Sequence, residues 1–135
     1  MRVVLDTNIL VSYAIRPSAA FTSIFEFIEK HGAYLASDET LSELIEVLSR
    51  EKFRKYIPLD QSIDYAEWYA ALSERITVVE HIVACRDPRD DCFLSLAVAG
   101  KADCIVAGDR HLLEMVQFRA IPIYRPSDFL RLVVR

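Results

Sequence analysis

Arg2-Val3-Val4-Leu5-Asp6-Thr7-Asn8 sets a short, β-branched apolar run against a polar stop. A continuous apolar run of this length suits a strand buried on both faces, and an Asp-Thr-Asn stop suits the start of a helix. The same pattern returns at Cys104-Ile105-Val106-Ala107-Gly108-Asp109, where an apolar run meets an acid and a helical stretch over 110–115 follows. Between and beyond these two, residues 33–36, 75–80 (with Ile76, Val78 and Val79) and 121–123 read as further strands. Helices are expected over 9–14, over 19–30 with His31-Gly32 as its stop, and over 37–50, 60–73, 87–100 and 126–132. The 37–50 segment has Ser37 as N-cap and Leu41, Leu44, Ile45 and Leu48 at helical spacing. Strands that are continuous apolar runs and alternate with helices predict an α/β fold, a parallel sheet covered on both faces.

A chain of 135 residues carries one hydrophobic core's worth of sequence, so a single domain over 1–135 is expected. Its 53% hydrophobic and 27% charged shares, with only three glycines, exclude a disordered chain. Sixteen Lys and Arg against twenty Asp and Glu give a net charge of −4, which speaks against holding nucleic acid by bulk positive charge. It does not speak against a nuclease whose own site is acidic. Cys85, Cys92 and Cys104 show no CxxC spacing, so buried reduced thiols are expected rather than a disulfide framework or zinc site. No apolar run approaches the roughly 18 residues of a membrane span, and the run after Met1 is too short for a signal peptide. The expectation is a cytoplasmic protein without a membrane partner.

The acids carry the chemistry. In open α/β sheets, ligands bind beyond the carboxyl ends of the strands, where strand order reverses. Asp6 and Asp109 fall at two such ends, and they meet if their strands are neighbours. The 37–50 helix offers Glu43 or Glu46, placed almost symmetrically about its apolar stripe, and Asp87-Pro88-Arg89-Asp90-Asp91 offers more. Carboxylates that converge without matching cations must share protons or bind a metal, and oxygen-only ligands suit Mg²⁺ or Mn²⁺. Each acid also has a plain structural reading. Asp6 and Asp109 can be N-caps, Glu43 can complete a capping box with Thr40, and Asp87 can cap a helix with Asp90 three residues on. Asp91 opens a helix that is apolar on nearly every face.

With these pieces in order, the chain resembles the PIN-domain family, in the bacterial VapC-like branch of toxins from toxin–antitoxin pairs. The resemblance lies in Val3-Val4-Leu5-Asp6-Thr7-Asn8, in Glu43-Leu44-Ile45-Glu46-Val47-Leu48 with Arg50 and Lys52-Phe53, in Arg86-Asp87-Pro88-Arg89-Asp90-Asp91-Cys92-Phe93-Leu94, and in Ala102-Asp103-Cys104-Ile105-Val106-Ala107-Gly108-Asp109. It implies a PIN-like three-layer sandwich around a central parallel sheet of about five strands. It marks Asp6, Glu43, Asp91 and Asp109 as catalytic, metal-holding carboxylates for one or two Mg²⁺ or Mn²⁺ ions. Thr7 or Asn8 would orient Asp6 through a hydrogen bond, and Asp87 would be an outer helper or, more simply, an N-cap. Without those four acids the chain has as many bases as acids.

The implied activity is hydrolysis of RNA phosphodiesters by a metal-activated water. Arg16, Arg89, Arg110 and His111 are the residues expected to meet the RNA. The basic stretch Arg50, Lys52, Arg54 and Lys55 reads equally well as a solvated helix end. A cognate antitoxin and a second copy of the chain are the expected protein partners. One departure stands out: many PIN domains have Thr or Ser two positions before the last acid, where this chain has Ala107. A hydroxyl missing from a metal's outer sphere can cost roughly tenfold to a hundredfold in affinity, which keeps open a catalytically weakened RNA- or protein-binding module. A phospho-receiver domain is disfavoured, since Asp6 has no acidic neighbour and no Lys follows Lys101. A dehalogenase-type phosphatase would need an Asp where Asn8 stands.

Overall fold

The computed structural model describes residues 1–133. Its strands are β1 (Arg2–Leu5), β2 (Ala33–Ala36), β3 (Glu74–Arg75), β4 (Cys104–Val106), β5 (Gln117–Phe118) and β6 (Ile121–Tyr124). The helices are α1 (Thr7–Ile15), α2 (Ala19–His31), α3 (Asp38–Leu48), α4 (Leu59–Leu72), α5 (Asp91–Ala99), α6 (Arg110–Leu113) and α7 (Pro126–Val133). The sheet has six strands in the order β3-β2-β1-β4-β6-β5, one more than expected. Five run parallel; β5 joins the β6 edge as an antiparallel hairpin arm. The condition on Asp6 and Asp109 is met, because β1 pairs with β4 in the register Val3↔Cys104, Val4↔Ile105, Leu5↔Val106.

Alternation along these strands builds two cores. Val3, Leu5, Tyr34, Ala36, Cys104 and Val106 face α1, α2, α3, α4 and α7, while Val4, Leu35, Ile105, Ala107 and Ile123 face α5 and α6. Because successive side chains on a strand point to opposite faces, an unbroken apolar run can serve both layers. The result is the three-layer sandwich. Tyr65 and Tyr69 go to the first core, Tyr65 donating from its hydroxyl to the Leu10 carbonyl at 2.7 Å.

The 75–80 strand does not form over that range. Only Glu74 and Arg75 pair with β2, after which the chain leaves the sheet and Val79 is 85% exposed. Pro58 holds the N-cap position of α4, which starts at Leu59, and Asp60 sits in its first turn. The Ser37 cap forms, with Thr40 as its reciprocal partner (Ser37 Oγ from the Thr40 amide, 3.2 Å; Thr40 Oγ1 from the Ser37 amide, 3.0 Å). That leaves Glu43 out of the capping box.

Arg119 and Ala120 form the two-residue turn between β5 and β6, with φ of 47° and 66°. Such turns suit glycine, since a Cβ is disfavoured at positive φ. Ala120→Gly is therefore expected to raise stability by about 0.5–1 kcal/mol, net of the added freedom of the unfolded chain. Thermal melting of the variant should show an increase of a few degrees; a decrease would mean the Ala120 methyl is held by favourable packing.

Candidate active site

The carboxyl ends of β1 and β4 floor a small cleft of about 120 Å³. It is the switch point of the sheet, where β2 lies to one side of β1 and β6 to the other side of β4. Asp6, Thr7 and Asn8 reach it from β1 and α1, Glu43 and Arg50 from α3 and its end, Asp87, Arg89 and Asp90 from the turn before α5, and Asp109 from the end of β4. Val47 and Phe93 complete its wall.

Asp6 is only 1% exposed and is held by three backbone amides. Its Oδ1 accepts from Ile9 N–H at 2.9 Å, and its Oδ2 accepts from the N–H groups of Gly108 and Asp109, both at 3.0 Å. One carboxylate therefore caps α1 and ties β1 to the chain beyond β4. Burial pushes Asp6 up to about 6, outweighing the three amides, which pull it down. Asp109 caps α6 in the same way, its Oδ1 accepting from His111 N–H at 2.8 Å and Leu112 N–H at 3.2 Å. Capping and membership of an acid cluster are not alternatives here, because a carboxylate has more lone pairs than a cap uses.

Asp90 ends the short 3₁₀ turn Pro88–Asp90. Its Oδ2 is buried with no hydrogen-bond partner. Burial first, then the neighbouring Asp109 carboxylate, push it up to about 7, and Asp87 and Asp6 add to the same effect. Glu43 is half-buried, and burial raises it while the Arg89 guanidinium pulls the other way. Glu46 turns outward to pair with Arg50 at 3.0 Å. The backbone of α3 thus separates Glu43 from Glu46 where helical spacing alone did not.

A model of the PIN domain family matches residues 2–111, a span holding every acid of the cleft. The chain belongs to the PIN domain family. It is 28% identical over 117 residues to the uncharacterized protein MJ1680 of Methanocaldococcus jannaschii, covering 85% of this chain and 75% of that protein. Among solved structures it is similar to VapBC2 from Rickettsia felis bound to a promoter DNA fragment (TM-score 0.67, 16% identity, covering 93% of this chain and 98% of that one). It is also similar to DNA-bound VapBC from Salmonella typhimurium (TM-score 0.65, 16% identity, 93% and 98% covered). A third is VapBC-1 from nontypeable Haemophilus influenzae (TM-score 0.64, 14% identity, 94% and 99% covered). At these identities the likeness is one of fold.

Within this PIN domain, Asp6, Glu43 and Asp109 share the cleft and Asp91 does not. Asp91 turns away, its Oδ1 accepting from the N–H groups of Ala84 at 3.0 Å and Cys85 at 2.7 Å. Asp90, the acid that the sequence reading gives to a cap, lines the cleft, while Asp91 lines an adjoining space that Glu43 and Arg89 also line. Asp87 is the N-cap of the 3₁₀ turn, accepting from Arg89 N–H at 3.0 Å, and it also holds the Arg89 guanidinium at 2.9 Å.

The expected hydrogen bond from Thr7 or Asn8 to Asp6 is absent: the Thr7 hydroxyl has no partner, and three backbone amides orient Asp6 instead. Ala107 is fully buried in the core on the α5 side and does not line the cleft, so its methyl leaves no gap beside the acids. Of the expected RNA contacts, Arg89 lines the cleft and Arg16 a neighbouring groove. Neither Arg110 nor His111 lines the cleft; the His111 ring lies 3.8 Å from Glu114.

As the side chains stand, no three His, Cys, Asp or Glu residues among those described are arranged to hold a metal ion. The cleft nevertheless fits a hard cation. Its charged donors are oxygens, two of its buried oxygens (Asp90 Oδ2 and Thr7 Oγ1) lack partners, and Asp90 is raised in part by repulsion that a cation would cancel. The three cysteines are free, and no helix among the described residues is long and apolar enough to cross a membrane.

Proposed function

We propose that this PIN domain is a Mg²⁺- or Mn²⁺-dependent endoribonuclease and the toxin of a toxin–antitoxin pair. The observation that carries the nuclease reading is the buried, unpartnered Asp90 Oδ2 set among Asp6, Asp109 and Glu43. A cluster of this kind is unfavourable without a cation and so points to one. The antitoxin partner is supported by the fold shared with proteins solved as VapBC complexes. A homodimer belongs to the same proposal.

Asp6, Glu43, Asp90 and Asp109 would hold the ion or ions. What a bound divalent cation supplies is acidification of water and charge neutralisation at a phosphodiester oxygen. The remaining work falls to the chain. Asp6 is a fixed reference, since three amides prevent its carboxylate from rotating. Arg89, steered by Asp87, sets a positive charge at the cleft edge where an RNA phosphate would enter. Val47 and Phe93 shield one side from bulk water, which strengthens every charge interaction inside.

RNA incubated with the purified protein and Mg²⁺ or Mn²⁺ is expected to be cut internally, and EDTA should stop cleavage. RNA that is bound but left intact under both metals would overturn the reading in favour of a binding module.

A further inference from the structure

A second space, of about 430 Å³, adjoins the acidic cleft, and Glu43 and Arg89 line both. It lies between the first half of α3, the start of α5 and the 81–83 stretch of the chain that leaves β3. Its acids outnumber its cations: Glu39, Glu43 and Asp91 stand against Arg89, with His81 beside Glu39. Such a lining repels a phosphate and favours a neutral group that donates hydrogen bonds.

Two of the three acids have other work. Glu43 belongs to the cleft, and Asp91 accepts the Ala84 and Cys85 amides. Glu39 is left. His81 Nδ1 lies 3.3 Å from its Oε1, and its Oε2 has no ion-pair partner among the described residues. A carboxylate has about four lone-pair sites, so both oxygens remain open to a ligand. The other walls are apolar. Val83 and Pro88 line the space, and Val83 is 88% exposed and belongs to neither core.

A flat, neutral ring with donors along one edge satisfies both demands, and unpaired RNA bases present such edges. The four bases are not equal before a carboxylate. Guanine points N1–H and its exocyclic amine the same way, matching two carboxylate oxygens. Adenine and cytosine set their amine beside an acceptor nitrogen, and uracil sets N3–H between two carbonyl oxygens. Each of these would bring an acceptor up against the carboxylate.

We propose that this space is a guanine subsite, in which Glu39 accepts N1–H and the amine of the base next to the scissile phosphate, with Val83 and Pro88 against the ring. The inference rests on the ribonuclease reading and adds a base preference to it. Arg89, at the rim shared by the two spaces, is placed to meet the phosphate while the base turns inward. Glu39 is then a specificity residue, separate from the acids that would hold the cation.

The first test uses short uridine-rich RNAs that differ at one central nucleotide: guanosine, adenosine or inosine. With Mg²⁺ or Mn²⁺, kcat/KM for the guanosine RNA should exceed that for the adenosine RNA by about tenfold, and the cut should fall beside the guanosine. Inosine, which keeps N1–H and lacks the amine, should fall between them. Glu39→Gln should bring the guanosine-to-adenosine ratio close to one. Because the ratio is taken within one preparation, it is insensitive to any loss of folded protein. Glu67→Gln, in a separate groove between α3 and α4, should keep the wild-type ratio.

The second test needs no cleavage. Guanosine, as the neutral nucleoside, should shift the backbone amide NMR signals of Ile82, Val83 and Cys92 without metal, and adenosine should shift them less. Equal cleavage of the guanosine and adenosine RNAs overturns the proposal, as does a preference that survives in Glu39→Gln. Amides that respond to Mg²⁺ and to no nucleoside also overturn it and give the space to a cation. Cleavage without base preference removes the subsite and keeps the ribonuclease. Guanosine binding that depends on Glu39, in a protein that cuts no RNA, keeps the subsite and removes the ribonuclease.

Discussion

Asp90→Asn is expected to lower RNA cleavage by on the order of a hundredfold or more, while the apo protein stays as stable as the wild type or becomes firmer. The carboxylate it removes is raised by burial and by Asp109, so at neutral pH its charge works against the fold. Mg²⁺ or Mn²⁺ should raise the melting temperature of the wild type and do much less for Asp90→Asn, because a cation stabilises only the state that binds it. Asp91→Asn should behave the other way. Its carboxylate accepts two amides of the 84–85 loop, so the amide variant should lose about 1 kcal/mol of stability and retain near wild-type cleavage per folded molecule. Matched cleavage assays and metal titrations by calorimetry decide between the two acids. If Asp91→Asn abolishes metal binding and Asp90→Asn does not, the cleft has been assigned the wrong neighbour.

Asp6→Asn should be the least stable of the single carboxamide variants, with a fall in melting temperature of roughly 10 °C. Asp6 accepts one amide on Oδ1 and two on Oδ2. An asparagine replaces one of those acceptors with an NH₂ group. In its better orientation it keeps Gly108 and Asp109 and turns a donor toward the Ile9 amide. A buried donor left facing another donor costs about 1–3 kcal/mol, of which the relief of a charge disfavoured by burial offsets a part. Urea or thermal unfolding without metal measures the effect. A change of only a degree or two would show that water takes over these amides. The practical meaning is that inactive Asp6→Asn reports on folding as much as on chemistry, and Asp90→Asn is the cleaner variant.

The sequence was most legible where local and tertiary demands coincide. The runs 2–5 and 104–106 are apolar because both faces of those strands are buried, and the acids ending them are caps as well as cleft residues. It was least legible where a partner decides the outcome. Ile76, Val78 and Val79 have β-forming side chains, yet the ladder between β2 and β3 ends at Ala36↔Arg75. The β5 strand is two residues long, too short for any periodicity to show. Asp90 and Asp91 could not be told apart because a 3₁₀ turn precedes α5, and hydrophobic spacing does not fix the phase at which that turn hands over to the helix. Ala107 shows a related limit: it stands two positions from Asp109 in sequence, yet strand alternation sends its side chain into the core on the α5 side.

The pairing of β1 with β4 has a consequence for how the protein comes into being. Asp6 is made early, but the Gly108 and Asp109 amides that hold it arrive 102 and 103 residues later. A chain still emerging from the ribosome has β1 without its central neighbour, and the acids of the future cleft lie far apart along it. Closing so long a loop is slow and comes late in folding. Whatever the cleft does, a nascent chain does not do it until the segment through Asp109 has emerged and docked, so the site is a product of late chain closure rather than of any early segment.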